Sequence, residues 1–229
     1  MRLYSAVAIV ALGEGGKRPL TLIAQALDTE DDDFRSEVIH TLGDLGLKSV
    51  PILVDSLRAK KASIRWSAAA SLGSVADNVK ATKSVLPRQA ILALIKTLRD
   101  EDEDVRYTAV YALSRYGQAA NEAVPEITKC LKDGEWSVRW IAARHLRDFG
   151  PAAVSAIPAL KEALQDEDER VRSEAAAAIK LLEQMRPKKS EEGTVNGRSS
   201  SNGRSGNGVI VNRCGGQMIP RRFRAVPRG

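Results

Sequence analysis

Five arginines recur through this 229-residue chain, each followed seven residues later by Leu or Ile: Arg35, Arg65, Arg106, Arg139 and Arg172, spaced 30, 41, 33 and 33 residues apart. A guanidinium is a planar fork that suits either a phosphate or a carboxylate. A row of five is therefore a phosphate ladder or a chain of acid–arginine pairs. Asp100, Asp133 and Asp166 each stand six residues before the arginine of their own repeat, on an acidic turn. That regularity favours carboxylate pairs tying neighbouring repeats over a phosphate site.

A second constellation lies one helical face away. Positions one, five and eight after each arginine fall near i, i+4, i+7. They read Ser36, His40, Gly43; Trp66, Ala70, Gly73; Tyr107, Tyr111, Ser114; Trp140, Arg144, Arg147; and Ser173, Ala177, Lys180. The Val, Ala and Leu positions already supply a buried stripe, so this face is expected to be partly exposed. Trp66, Tyr107, Tyr111 and Trp140 would form an aromatic strip with Arg144, Arg147 and Lys180 at one end. Aromatics with arginine are the composition of binding hot spots. The competing reading is that the rings fill space between Ala-rich repeats. Trp136 lies in a turn and reads as an edge-packing residue.

Other chemistry finds little support. His40 and His145 sit in different repeats without Cys or carboxylate at ligand spacing, so no metal site is expected. The acidic turns lack the calcium-loop order with its central Gly and terminal Glu. No Gly-rich phosphate loop and no Ser/His/Asp arrangement is present, and no catalytic residue or cofactor is called for. Cys130 and Cys214 make no disulfide framework and no CxxC motif.

The elements that must position these residues are helical hairpins. Self-similarity at this period marks a solenoid, and the architecture expected is all-α, about five and a half hairpins wound as a right-handed α-α superhelix. First helices start near Pro19, Pro51, Pro125 and Pro158, where a missing N–H costs nothing. Pro87 comes earlier, so that helix should be a turn longer. Asp31, Asp33, Asp104 and Ser137 are candidate caps for second helices, and Gly46, Gly117 and Gly150 are candidate left-handed stops. The repeats are read as a half repeat 1–16, then 17–46, 47–80, 81–117, 118–150 and 151–184. Repeat two departs, with AKKAS at its turn and an insertion at DNVKATKSV. Residues 185–229 are polar, rich in Gly, Ser and Asn, and read as a disordered basic tail, with VIV at 209–211 as a brief strand without partner.

The formal net charge is +6, with ten Lys/Arg against two Asp/Glu after Gln184. The basic balance thus belongs to the tail, while the repeats are near neutral. Aromatics are 4% of residues, which suits thin, closely packed helices rather than a deep aromatic core. No apolar run is long enough to span a membrane. The first residues weakly mimic a signal peptide, but Leu12-Gly13 and Gly16 repeat Leu42-Gly43 and Gly46, so a repeat helix is the better reading. That helix lacks its first partner, which a fragment or a mis-assigned start explains better than pairing with another molecule. A cytoplasmic location is expected.

The phrases DEDEDVRYTAVYALSRYG, AVPEI…LKDGEWSVRWIAARHL and AIPALKEALQDEDERVRSEAAAAI resemble the HEAT repeat, more narrowly the HEAT-like repeats first named in phycobilisome lyases. The resemblance covers about residues 1–184 and implies that second helices line a concave surface. Relatives of this class include bilin lyase subunits, deoxyhypusine hydroxylases, alkylpurine DNA glycosylases and plain scaffolds. The hydroxylases hold metal with His-Glu dipeptides, whereas His40 and His145 here precede Thr41 and Leu146. The function expected is a non-catalytic adaptor gripping a protein partner, as peptide or helix, on the concave face. The alternatives are nucleic-acid binding through the basic tail and aromatic strip, and a bilin-lyase-like subunit.

Overall fold

The computed structural model describes residues 26, 30–81 and 87–186, all within one compact unit, Met1–Lys188. The half repeat 1–16, most of the following first helix, part of the insertion and the tail from 187 onward lie outside the described residues.

Among the described residues every regular element is helical. The second helices are α1 (Asp32–Asp44), α3 (Ala62–Ala81), α5 (Glu103–Tyr116), α7 (Trp136–His145) and α9 (Glu169–Gln184). The first helices are α2 (Val50–Ser56), α4 (Arg88–Thr97), α6 (Val124–Cys130) and α8 (Ile157–Ala163). Each first helix packs on the second helix that follows it. The second helices stack in chain order, α1 on α3, α3 on α5, α5 on α7 and α7 on α9. The fold is an all-α solenoid of helical hairpins.

Local chemistry sets the element ends. Pro51, Pro125 and Pro158 open α2, α6 and α8 in their first turn, each after a 3-10 segment: Gly46–Ser49, Gly117–Ala123 and Leu146–Ala156. Pro87 instead is the N-cap of α4, which runs ten residues where α2, α6 and α8 run seven. The caps of the second helices differ in part from the sequence reading. Asp31 caps α1 by accepting from the Phe34 N–H at 3.0 Å. In α5 the cap is Asp102, accepting from Val105 N–H at 3.1 Å; Asp104 sits inside the first turn, where its charge meets the helix dipole. Glu135 precedes α7 without a side-chain cap, and Ser137 lies within the helix. The glycine stops have positive φ, but Gly117 (φ 56°, ψ −135°) and Gly150 (φ 61°, ψ −139°) are not in the left-handed helical basin. They occupy an extended mirror-image region open only to glycine, which swings the chain directly into the next 3-10 turn.

The core follows the repeated apolar phrase. Ala68, Ala69 and Leu72 on α3, Ala109 and Leu113 on α5, and Ala142, Ala143 and Leu146 (the last just beyond α7) are fully buried. Each buried Leu contributes about 1.5–3 kcal/mol of apolar transfer. The alanines let the helices approach closely. A Cβ at Gly73 would lie 3.3 Å from the Ala112 Cα and Cβ on α5. Tyr116 and Phe149 are the largest fully buried side chains; the Tyr116 hydroxyl donates to the Leu72 carbonyl of the preceding repeat at 2.8 Å.

The arginines join the stack along its turn edge. Arg106 Nε and Nη2 fork the Asp133 carboxylate at 2.8 Å each, while Nη1 donates to the Asp100 and Glu101 carbonyls of its own turn. Arg139 does the same with Asp166 at 2.8 and 3.0 Å and with the Asp133 and Gly134 carbonyls. Arg65 forks Asp100 at 2.8 and 2.7 Å and bonds the Ala59 and Lys60 carbonyls. Each arginine thus closes its own turn and reaches the aspartate of the next repeat. The aspartates are further fixed: Asp100, Asp133 and Asp166 accept from the N–H two residues on, at 3.1, 3.0 and 2.9 Å. The side chain of Arg35 is outside the described ones; position 59, six before Arg65 and equivalent to Asp100, Asp133 and Asp166, is an alanine.

The pairs are desolvated as well as charge-assisted. The Arg139 and Asp166 side chains are 8% and 9% exposed, so removing one partner strands the other. Arg139→Ala is expected to cost about 3 kcal/mol in urea unfolding. Arg88→Ala, whose side chain is 77% exposed in its pair with Glu122, is expected to leave the urea midpoint essentially unchanged, because solvent screens the pair.

Burial pushes the Asp133 carboxyl up, but hydrogen bonds from Arg106 and the Glu135 N–H outweigh it and hold the group below its ordinary value. Asp166 is lowered in the same way by Arg139 and the Asp168 N–H. The unfolded chain therefore binds protons more readily at these sites. Their stabilisation is present above about pH 4, the ordinary Asp value, and is lost as pH falls through the lowered folded values. Urea midpoints should be flat from pH 7 to 5 and fall below pH 4, and Asp133→Asn should make that fall shallower.

Candidate functional site

The second helices present the aromatic face, and the structure divides the residues read from the sequence into several groups. Tyr107 on α5 and Trp140 on α7 stack across adjacent repeats, centroids 6.3 Å apart and planes 11° from parallel. The Arg144 guanidinium carbon lies 5.4 Å from the Trp140 centroid. Arg144 Nη1 also bonds the Glu174 carboxylate of α9 at 2.9 Å, so this arginine is clamped between ring and acid. Both stacked rings are half-buried. Burial raises the Tyr107 phenol above its ordinary value against the lowering charge of Arg144, so it is a neutral donor at physiological pH.

Tyr111, 40% exposed, meets the His145 ring edge-on at 5.7 Å and 69°. Arg115 donates from Nη1 to the Tyr111 hydroxyl at 2.8 Å, with its guanidinium carbon 5.5 Å from the ring centroid. Arg115 is also ion-paired with Asp77 of α3, and Lys80 donates to its carbonyl. His145 Nδ1 lies 2.6 Å from an Asp148 oxygen. Neither Arg115 nor His145 was drawn into the strip by the sequence reading, because each sits one position off the counted face. The available signal for Arg115 was that a 3.6-residue helix brings position nine alongside position five; His145 meets Tyr111 from the next second helix, which spacing along one helix does not show.

Trp66 on α3 is half-buried and, among the described residues, in no ring pair. Arg147 is half-buried and Lys180 exposed, with no hydrogen bond or ion pair to either among the described residues. The eighth position after each arginine is not uniformly on the surface. Gly43 and Gly73 are buried against the next second helix, because that position turns toward the neighbouring repeat. Ser36 and His40 have side chains outside the described ones. Trp136 opens α7 rather than lying in the turn, and the Arg170 guanidinium carbon sits 3.4 Å from its centroid.

On the other layer a surface cleft of about 610 Å³ runs between α2 and α4, floored by Val54, Leu57 and Leu92 and rimmed by Arg58, Arg88, Lys96 and Arg99. Two of these cations are paired with the next repeat, Arg88 with Glu122 and Arg99 with Glu126. Burial pushes the Cys130 thiol up to about 12, so it is a packing group and not a nucleophile. Among the described residues no three His, Cys, Asp or Glu side chains converge as a metal group, and no helix is long and apolar enough to cross a membrane.

A model of HEAT repeats matches residues 4–73, 19–88 and 124–190, well over half of the chain. The chain belongs to the HEAT-repeat family. A HEAT-like repeat model matches residues 62–116 and the PBS lyase HEAT-like repeat matches residues 105–133. Among solved structures this HEAT-repeat chain is similar to the complex of CpcE and CpcF of phycocyanin lyase from Nostoc sp. PCC7120, at 19% identity over 71% of this chain and 99% of that one, with a TM-score of 0.60. It is also similar to a designed armadillo repeat protein in complex with the peptide (KR)4, at 18% identity over 79% and 91% of the chains, with a TM-score of 0.51. An engineered protein matches at 20% identity over 80% and 89%, with a TM-score of 0.54. No curated protein matches the sequence.

Trp140→Ala is expected to remove the ring pair and the arginine stack without touching the fully buried Ala and Leu rows. Far-UV circular dichroism should be unchanged and unfolding should show a loss of about 1 kcal/mol from the stack itself, plus the apolar area no longer buried.

Proposed function

We propose that this HEAT-repeat chain is a non-catalytic adaptor that grips a protein segment, as extended peptide or helix, along the layer of second helices. The observation that carries the reading is the half-exposed Tyr107–Trp140 stack, braced from behind by Arg144 and Glu174. A ring pair held by charged neighbours on two rigid helices offers a large apolar contact with little ordering entropy left to lose. Trp66 on the preceding second helix and Tyr111 one turn further along α5 are the other aromatics of the strip, and Arg147 and Lys180 supply cations free to meet an acidic or backbone-carbonyl group on the partner. Solenoids of this kind bind through long surfaces built from successive repeats, and the designed armadillo neighbour is in complex with a peptide.

A lyase-type subunit is the second reading, favoured by the match of residues 105–133 to the PBS lyase repeat and by the CpcE–CpcF likeness. It requires that purified protein retain or transfer a linear tetrapyrrole. The nucleic-acid reading rests on the composition of residues 187–229 and is not proposed.

The test is capture of a partner from source lysate by wild type and by the Trp66→Ala/Trp140→Ala double variant, after nuclease and roughly 0.5 M salt, where surface charges are screened within a few ångströms. A protein held by wild type and weakened in the variant by about 2 kcal/mol or more, some thirtyfold, supports the adaptor. Equal capture by both chains assigns the rings to packing and overturns it.

A further inference from the structure

The arginine ladder contains its own control. In Arg65, Arg106 and Arg139, Nη1 holds two carbonyls of the same repeat's turn while Nε and Nη2 fork the aspartate of the next repeat. Arg172 repeats the first half of this arrangement, with Nη1 donating to the Asp166 and Glu167 carbonyls at 2.7 and 2.9 Å. The same two anchors fix the guanidinium, and among the described residues nothing accepts from its Nε or Nη2.

The apolar neighbours show the same contrast. Four residues after the ladder arginine stand Ala69, Val110 and Ala143, each fully buried beneath the next hairpin, whereas the equivalent Ala176 is exposed. Leu98 and Leu131 are buried, but the equivalent Leu164 is only partly covered and borders a surface cleft of about 550 Å³ with Ile179 and Lys180. This end therefore combines a pre-oriented fork with an apolar step of the shape that a helical hairpin covers three times elsewhere in the molecule.

We propose that this end of the stack is a docking surface for a helical hairpin of a partner protein, whose acidic turn places an aspartate in the open fork of Arg172. The partner's chemistry follows from the three closed forks. Each acid is Asp, and each also accepts from the N–H two residues on, which a short side chain allows. The occupant must be an aspartate opening a helix in a repeat-like turn. Within residues 1–229 no ladder-position aspartate is left over. Its closed-fork aspartates are engaged, the position six before Arg35 is Thr29, that before Arg65 is Ala59, and residues 187–229 contain no Asp and only Glu191 and Glu192 as acids.

The probe is a fluorescently labelled synthetic peptide with the sequence of residues 151–184, added to the full chain and followed by anisotropy. Saturable one-to-one binding is expected, weakened at least about tenfold by Asp166→Asn in the peptide, since a bidentate ion pair becomes a single bond from the guanidinium to a neutral amide oxygen. Arg172→Lys in the chain should weaken it similarly, while Trp66→Ala should leave it within about twofold. The peptide substitution leaves the receptor untouched, so a folding defect in Arg172→Lys cannot mimic the result. Absence of saturable binding, or equal affinity for the Asn peptide, overturns the proposal. So does Arg172-dependent self-association of the chain in sedimentation, which gives the surface to a second copy. Binding that appears only after removal of residues 187–229 gives the fork to the chain's own tail, and likewise overturns it.

Discussion

The structure depends on one shared guanidinium. Arg65, Arg106 and Arg139 each hold their own hairpin turn by two backbone carbonyls and the next repeat by a carboxylate, so local folding and repeat-to-repeat register are set by the same side chain. Neither half would suffice. Carbonyls left without donors would cost the turn its closure, and a carboxylate buried without a cation would carry a desolvation penalty that nothing offsets. Because the fork is planar and the aspartate is itself fixed by the N–H two residues on, the pairing defines an angle as well as a distance. The apolar rows of Ala and Leu supply the greater part of the attraction between helices but would tolerate sliding; the forks do not.

That division of labour explains where the aromatic residues can go. With attraction supplied by small residues inside and register supplied at the turns, the outer face of the second helices is released from both duties. Tyr107 and Trp140 can then meet across repeats at a fixed offset, since α5 and α7 are already held by Arg106 and Asp133. Arg144 and Glu174 extend the brace to α9, so an otherwise mobile long side chain serves as backing for a ring. The position of the strip is inherited from the ladder.

Much of this was legible in the sequence because it is periodic. The hairpins, the arginine spacing and the apolar phrase each repeat, and repetition averages out local accidents. What escaped was aperiodic or depended on rotation. Asp102 rather than Asp104 caps α5, since the helix begins two residues earlier than the apolar pattern alone indicates. Gly117 and Gly150 share positive φ with the expected stops but differ in ψ, which no residue type reveals. Gly43 and Gly73 were counted on the open face although it drifts toward the neighbouring helix by the eighth position. Arg115 and His145 were missed for the same reason, lying off the counted positions but on the true face. The cleft between α2 and α4 needs two helices to exist and has no one-dimensional trace.

Position 59 is an alanine where the three following turns carry Asp100, Asp133 and Asp166, and this makes the couplings along the described stack uneven. A linear array of repeats behaves as a chain of nearest-neighbour couplings, and here the couplings are unequal. Between α3 and α9 each junction has both apolar contact and a fork; between α1 and α3 there is apolar contact and no carboxylate at the ladder position. Partial opening of such an array concentrates at its weaker junctions, so the three closed forks behave as one cooperative block within the described residues. Three consecutive forks thereby concentrate cooperativity between α3 and α9, a polarity that the nearly uniform helices would not have on their own.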